Sequence, residues 1–274
     1  LGGPEFGLYK SIDGGLNWEE ISLGLTTNGN KYCPNDIEVG ADNKIWISTI
    51  NSTVFGDGGG TVLSSSDGVT FEKTYEITEG NRTQITTSSS DAQKIYVLAE
   101  GSGTSPIIME KTEDGFTSTT SMTLPNDVYD GIPANDFTNG QAFYDLIIKA
   151  NPLDDAIVYV GGIDLFKTVD SGATWSQITE YYSSTGLNEV HPDQHVIVFG
   201  NEDISKILFG NDGGVYYSGD GGITIGERNN GYNVTQFYTV GVAPTTALTG
   251  DYFLAGAQDN GTQVFQSSNP NGPD

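Results

Sequence analysis

Apolar runs recur in pairs along the chain, and each pair is followed by an acidic, glycine-containing stretch. "NKIWIST" leads to "GTVLSSSDG", "QKIYVLAE" to "PIIMEKTEDG", "DAIVYVGG" to "DLFKTVDSG", and "SKILFGND" to "GVYYSGDGG". These runs are rich in β-branched and aromatic residues, which pack well on a pleated surface. The intervening Gly, Asn, Asp and Ser favour tight turns. The pattern therefore predicts strands joined by hairpins. A further pair begins with "DYFLAGAQDNGTQVFQSSN", and the first unit, around "SIDGGLNW", lacks its leading strand.

The acidic stretches are copies of one another. "SIDGGLNW" at Ser11–Trp18 returns as "TVDSGATW" at Thr168–Trp175 and as "SGDGGITI" at Ser218–Ile225, with shortened forms "SSDGVTF" and "TEDGFTS". Their acids, Asp13, Asp67, Asp114, Asp170 and Asp220, are separated by 54, 47, 56 and 50 residues. A repeat near that length fits one four-stranded blade of a β-propeller. In each copy the Asp is suited to bond nearby backbone N–H groups, and Gly supplies φ > 0 where a side chain would clash. The last aromatic is expected to pack under the turn.

The expected fold is thus all-β: a β-propeller of four-stranded antiparallel blades, about six in number at this repeat length. Four units are complete and one is partial at each end. Residues 1–274 are read as a single domain. Either the two ends complete one another around a ring, or further blades lie outside the segment. With no initiator Met and no signal peptide, the segment reads as a piece of a longer precursor.

The repeated "S/T-x-D-x-G-x-T-W" pattern resembles the Asp-box, or BNR, repeat of sialidases, sortilin-type domains and two-propeller xyloglucanases. That resemblance implies a structural role for all five acids. From about Gly140 to Gln263, the ordered series "GQAFYDLIIKANPLDDAIVYVGGIDLFKTVDSGATW", "HPDQHVIVFGN", "FGNDGGVYYSGDGG", "RNNGYNVTQFY" and "GAQDNGTQ" is similar to large secreted bacterial surface proteins with a sortilin-like BNR propeller. Many of these are cargo of type IX secretion. The likeness implies an extracellular or cell-surface location.

Charge narrows the partners. Eleven Lys and Arg against 36 Asp and Glu give a net charge of −25. Such a surface repels nucleic acid and anionic membranes. No apolar run approaches the length of a membrane helix, so no membrane insertion is expected. The lone Cys33 excludes an internal disulfide and reads as a small buried hydrophobe. Only Arg82 and Arg228 are present, too few for the three-arginine carboxylate clamp that sialidases use.

Glycoside hydrolysis needs only two carboxylates. "FGNDGG" loosely matches an acid-bearing stretch of the xyloglucanases, which makes Asp212 the best single candidate. Its partner would come from Asp136, Asp145, Asp164 or Asp259. Asn-Asp-Gly-Gly and Gln-Asp-Asn-Gly are also turn sequences by their own chemistry. The long aromatic segment Pro125–Asp145 interrupts the repeat. It is either a binding loop presenting Tyr129, Asp136, Phe137, Phe143 and Tyr144, or a loop packed on its own aromatics.

The only two histidines stand in "NEVHPDQHVIVFGN". On a strand, His191, Asp193 and His195 would share a face and offer ligands to a transition ion. Residues two apart on a flat strand spread too widely to converge, unless Pro192 bends the chain. The preferred expectation is a buried polar knot bonded to the "GNDGG" or "AQDNG" turns. No cofactor is required, although bound calcium or a transition metal is compatible with the residues. The chain is expected to bind a glycan or surface protein, alongside other domains of its precursor. The alternative is a xyloglucanase-like hydrolase.

Overall fold

A computed structural model describes residues 6–129, 131–182, 185–201, 203–231, 235–244 and 252–266. The described chain is built of strands. A two-stranded sheet holds β1 (Leu8–Lys10) and β2 (Glu19–Ile21). A four-stranded sheet follows, with β3 (Cys33–Val39), β4 (Ile45–Ile50), β5 (Thr61–Ser65) and β6 (Glu72–Glu76) in chain order. The next holds β7 (Thr83–Thr87), β8 (Ile95–Ser102), β9 (Ser105–Thr112) and β10 (Thr120–Ser121). A third contains β11 (Ile147–Ala150), β12 (Val158–Gly161), β13 (Leu165–Thr168) and β14 (Ser176–Gln177). A short parallel pair, β15 (Thr179–Glu180) and β16 (Asn188–Glu189), comes next. The fourth four-stranded sheet has β17 (Gln194–Phe199), β18 (Ile207–Asn211), β19 (Gly214–Ser218) and β20 (Gly226–Glu227). The last sheet has β21 (Phe237–Val242), β22 (Tyr252–Ala257) and β23 (Thr262–Gln266). Apart from β15–β16, every pairing is antiparallel.

The apolar runs are central strands; β4, β8 and β12 are buried on both faces, whereas β18 leaves Leu208 exposed. Side chains alternate along β8. Ile95, Val97 and Ala99 pack with Trp46 and Val62 of the preceding sheet, while Tyr96 and Leu98 pack with Val158, Val160 and Phe166 of the following one. On β12 the same alternation sends Tyr159 to the other side, against Ile197, Ile207 and Phe209. The core is therefore a series of sheet-to-sheet seams. Each fully buried Leu, Ile or Phe contributes about 1.5–3 kcal/mol by leaving water. Cys33 is a buried free thiol at the start of β3, and burial raises its pKa.

All five acids of the repeat lie in equivalent hairpin turns. Asp67, Asp114, Asp170 and Asp220 stand between the third and fourth strands of their sheets, and Asp13 between β1 and β2. In every copy the hydroxyl two residues earlier donates to the carboxylate, at 2.6–2.9 Å. Backbone N–H groups further along the turn donate to the same oxygen, such as Asn17, Thr70 and Thr174 at 2.7–3.0 Å. The closing aromatic varies more than expected. Trp175 Nε1 donates to the Thr123 carbonyl at 2.9 Å, whereas Trp18 stays 63% exposed and reaches only its own Gly15 carbonyl.

Successive hairpins leave a strand at opposite ends. Connections between second and third strands therefore lie on the rim opposite the acidic turns. That rim carries Asp164, between β12 and β13; Asp212, between β18 and β19; and Asp259, between β22 and β23. The loop from β10 to β11 joins the same rim.

Candidate functional site

The loop preceding β11 is a chain of tight turns. The Asn139, Gln141 and Tyr144 N–H groups bond the carbonyls of Asp136, Thr138 and Gln141. Asp136 is bound within it, accepting from the Thr138 and Gly140 N–H groups and from the Thr138 hydroxyl. Phe137 is fully buried, edge-on to Phe166 with ring centres 5.7 Å apart. Its ring is a core element, and neither it nor Asp136 presents itself to solvent as a rim-loop contact would. Tyr129, Phe143 and Tyr144 do remain exposed. Arg82 clamps the loop from below, donating to the carbonyls of Ala142 and Tyr144 at 3.3 and 2.7 Å.

"HPDQH" does not form one strand face. β17 begins only at Gln194, and Asp193 adopts φ 64°, a left-handed turn that Asp tolerates better than most residues. The ladder then shifts register between Gln194 and Val196, leaving His195 as the bulged residue. The two histidines part accordingly. His191 Nε2 lies 2.7 Å from the Asp259 carbonyl and Nδ1 3.1 Å from that of Pro192. His195 Nε2 meets Asp212 Oδ1 at 2.6 Å. The expected bond from a histidine to the "AQDNG" backbone is present, but the stretch is half-buried rather than buried. The three side chains do not converge. Among the described residues, no group of three or more His, Cys, Asp or Glu is placed to hold a metal ion.

Asp212 is clamped. Its Oδ1 faces the His195 ring, and the Tyr144 hydroxyl lies 3.0 and 2.8 Å from its two oxygens. Tyr144 and His195 also meet edge-on at 4.8 Å. Burial, and then the Asp212 carboxylate, push the Tyr144 hydroxyl up to about 12, so it stays a proton donor. Asn260 Nδ2 donates to the Asp212 carbonyl and joins the two turns.

Asp145 is fully buried, and neither oxygen receives a hydrogen bond from a donor group. The partner within its reach is another carboxyl, Asp193, and two carboxyls pair only when one carries a proton. Burial, then the Asp193 charge, raises Asp145 to about 9, so Asp145 holds that proton at neutral pH. Burial also raises Asp193, aided by Asp212. A second buried carboxyl, Asp164, is raised to about 8 by burial and then by Asp127, while accepting from Thr179 Oγ1 at 3.0 Å.

Asp193 forms part of the floor of an open cleft of about 610 Å³. Tyr181, Tyr182 and Tyr216 supply its aromatic surface. Asp193, Asp259, Glu189 and Glu227 supply its charge. His191 lies among them, and among the described residues no Lys or Arg lines the space. Tyr129, at the end of the long loop, packs edge-on against Tyr181 with ring centres 5.4 Å apart. Tyr181 is pushed up to about 12 by burial and by its bond with Tyr129, so it remains a neutral phenol.

Of the sequence-derived candidates, the structure thus gathers His191, Asp193 and Asp259 at the cleft, with Asp145 behind it and Asp212, His195 and Tyr144 at its side. The sequence reading did not single out Tyr181, Tyr182, Glu189, Tyr216 or Glu227. Their one available signal was "EYY", placed just past the Asp170 turn.

No protein-family model matches the sequence, and no curated protein does. Solved structures do. A GH74 xyloglucanase from Xanthomonas campestris aligns with TM-score 0.52 and 12% identity, over 94% of this chain and 37% of that one. An ancestral GH74 enzyme aligns with TM-score 0.51 and 13% identity, over 92% of this chain and 32% of that one. The Niastella koreensis GH74 enzyme aligns with TM-score 0.46 and 17% identity, over 94% of this chain and 44% of that one. This chain therefore spans less than half the length of these enzymes. At such identity the likeness speaks for architecture alone: the chain has a β-propeller fold.

Proposed function

We propose that this propeller is a binding module for a glycan, held in the cleft at Tyr181, Tyr182 and Tyr216. One observation carries the reading: three tyrosine rings and several carboxylates converge on one open cleft. Aromatic faces stack on sugar rings, and carboxylates accept hydrogen bonds from hydroxyls; a few such polar groups in a concave site give orientation. The five acidic turns are read as Asp-box repeats of the sortilin-like BNR type, acting as hairpin locks on the far rim. Residues 1–274 are read as one propeller domain with partial blades at its ends. The protein is proposed to work outside the cell or on its surface, with other domains of a longer precursor. The resemblance to secreted bacterial proteins, type IX cargo among them, supports that placement.

A xyloglucanase-like hydrolase is the second reading, favoured by the GH74 likeness and by a carboxyl held protonated next to a second carboxyl, as acid–base pairs are. Two observations weigh against it. Asp145 is sealed from solvent, and both oxygens of Asp212 are already bonded. The test is titration with a panel of neutral, acidic and amino-sugar oligosaccharides, monitoring heat and reducing ends together. Saturable binding without turnover, lost in Tyr182→Ala, is expected. Release of reducing ends abolished by Asp212→Asn would establish the hydrolase, and no binding across the panel would end the glycan reading.

A further inference from the structure

We infer that the ligand of this cleft carries a positive charge: an amino sugar with free, protonated amines, rather than a neutral or N-acetylated glycan. The inference rests on the glycan reading above and narrows it. Asp193, Asp259, Glu189 and Glu227 line one space of about 610 Å³, with no Lys or Arg among its described lining residues. Within a half-enclosed wall of protein their mutual repulsion is screened less than on an open surface. Glu227 has a neutral partner, Asn229 Nδ2 at 2.8 Å.

The cluster does not stand alone. Behind Asp193 lies Asp145, fully buried, its oxygens without a donor, facing the same carboxyl. Asp145 keeps its proton there, with the Arg82 charge only partly offsetting its burial, and Asp193, which does line the cleft, has a buried carboxylate oxygen with no hydrogen-bond donor. The walls suit the same charge. The tyrosine rings offer faces to an ammonium group, which is attracted to the negative face of an aromatic ring. Tyr216 Oη already accepts from the His191 N–H at 3.3 Å, which leaves its own proton free to donate to a sugar hydroxyl. The overall charge of −25 draws such a ligand in and keeps anionic glycans out.

The test is calorimetric titration at acid pH, where the sugar amine is charged, with three β-1,4 tetramers: glucosamine, N-acetylglucosamine and glucose. The free-amine tetramer is expected to bind about tenfold more tightly than the other two, a difference of one decade in Kd. That preference should shrink as salt is raised from about 50 to 300 mM, because added ions screen the charge term. The Glu189→Gln/Glu227→Gln variant should bind all three tetramers alike. Equal affinity of the wild type for all three would overturn the inference while leaving the glycan reading intact. Failure to bind any tetramer would overturn both. Tetralysine binding more tightly than the glucosamine tetramer would assign the cleft to a basic peptide and also overturn it. The wild-type comparison and its salt dependence decide the matter even if the double variant fails to fold.

Discussion

Two sets of aspartates on opposite rims behave as opposites. In the repeat turns, Asp13, Asp67, Asp170 and Asp220 are held down at about 2 because turn N–H groups and neighbouring hydroxyls donate to the charged form. Asp145 and Asp164, on the other rim, are pushed up to about 9 and 8 because burial and a second carboxyl penalise that form. The residue type is the same and the surroundings decide. The first set is satisfied and closes hairpins. In the second, Asp164 still accepts from Thr179, but Asp145 has no donor at all, and an unsatisfied carboxyl beside a cleft is where chemistry or binding is sought.

The largest expected effect separates core from rim within the long loop. Phe137→Ala should cost about 3–5 kcal/mol of unfolding free energy, the range for deleting a buried aromatic. Phe143→Ala, 58% exposed, should change stability by about 0.5 kcal/mol or less. Denaturant titration of both variants checks the pair.

The two acid sets next predict opposite pH limbs. Asp145 and Asp164 keep protons in the folded state that the unfolded state has lost above about pH 4. Stability should therefore fall as pH rises from about 4 towards 8 or 9, with a slope of up to about 1.4 kcal/mol per pH unit for each fully shifted group. Asp145→Asn should flatten that limb, as followed by urea midpoints across the range. A profile unchanged by Asp145→Asn would show that this carboxyl is not held protonated.

A smaller effect tests the knot. His191→Ala removes the ring beside the Asp259 carbonyl and should lower stability by about 1 kcal/mol, the usual worth of one hydrogen bond. Metal content measured by elemental analysis should be the same in His191→Ala, His195→Ala and the wild type.

The turn acids predict the acid limb. Their depressed values stabilise the fold above about pH 4, and that stabilisation is lost as pH falls towards 2. Asp170→Asn should reduce the steepness of acid unfolding, read from circular dichroism between these limits, with little change at neutral pH.

Much of the fold is visible in the chain because its strongest signals are local. "QKIYVLAE" and "DAIVYVGG" become β8 and β12, buried on both faces, and the acidic turns recur because each is closed by residues within four positions of the Asp. The first strands of the sheets were harder to see. β3, "CPNDIEV", and β7, "TQITT", carry polar residues whose partners are distant, such as Asp36 accepting from the Ile85 N–H. The site was legible only in parts. Asp145 and Asp193 meet across 48 positions, and no local pattern announces a contact of that kind. The bend at Asp193 and the bulge at His195, which send the two histidines apart, depend on the sheet that β17 joins.

The most direct measurement of the central claim compares the rims in one titration. Wild type, Tyr182→Ala at the cleft and Asp67→Asn at a repeat turn are each titrated with the oligosaccharide panel. The account predicts saturable binding by the wild type and by Asp67→Asn, and its loss in Tyr182→Ala while that variant keeps its fold. Binding that survives in Tyr182→Ala and disappears in a folded Asp67→Asn would contradict it and move the functional face to the acidic turns.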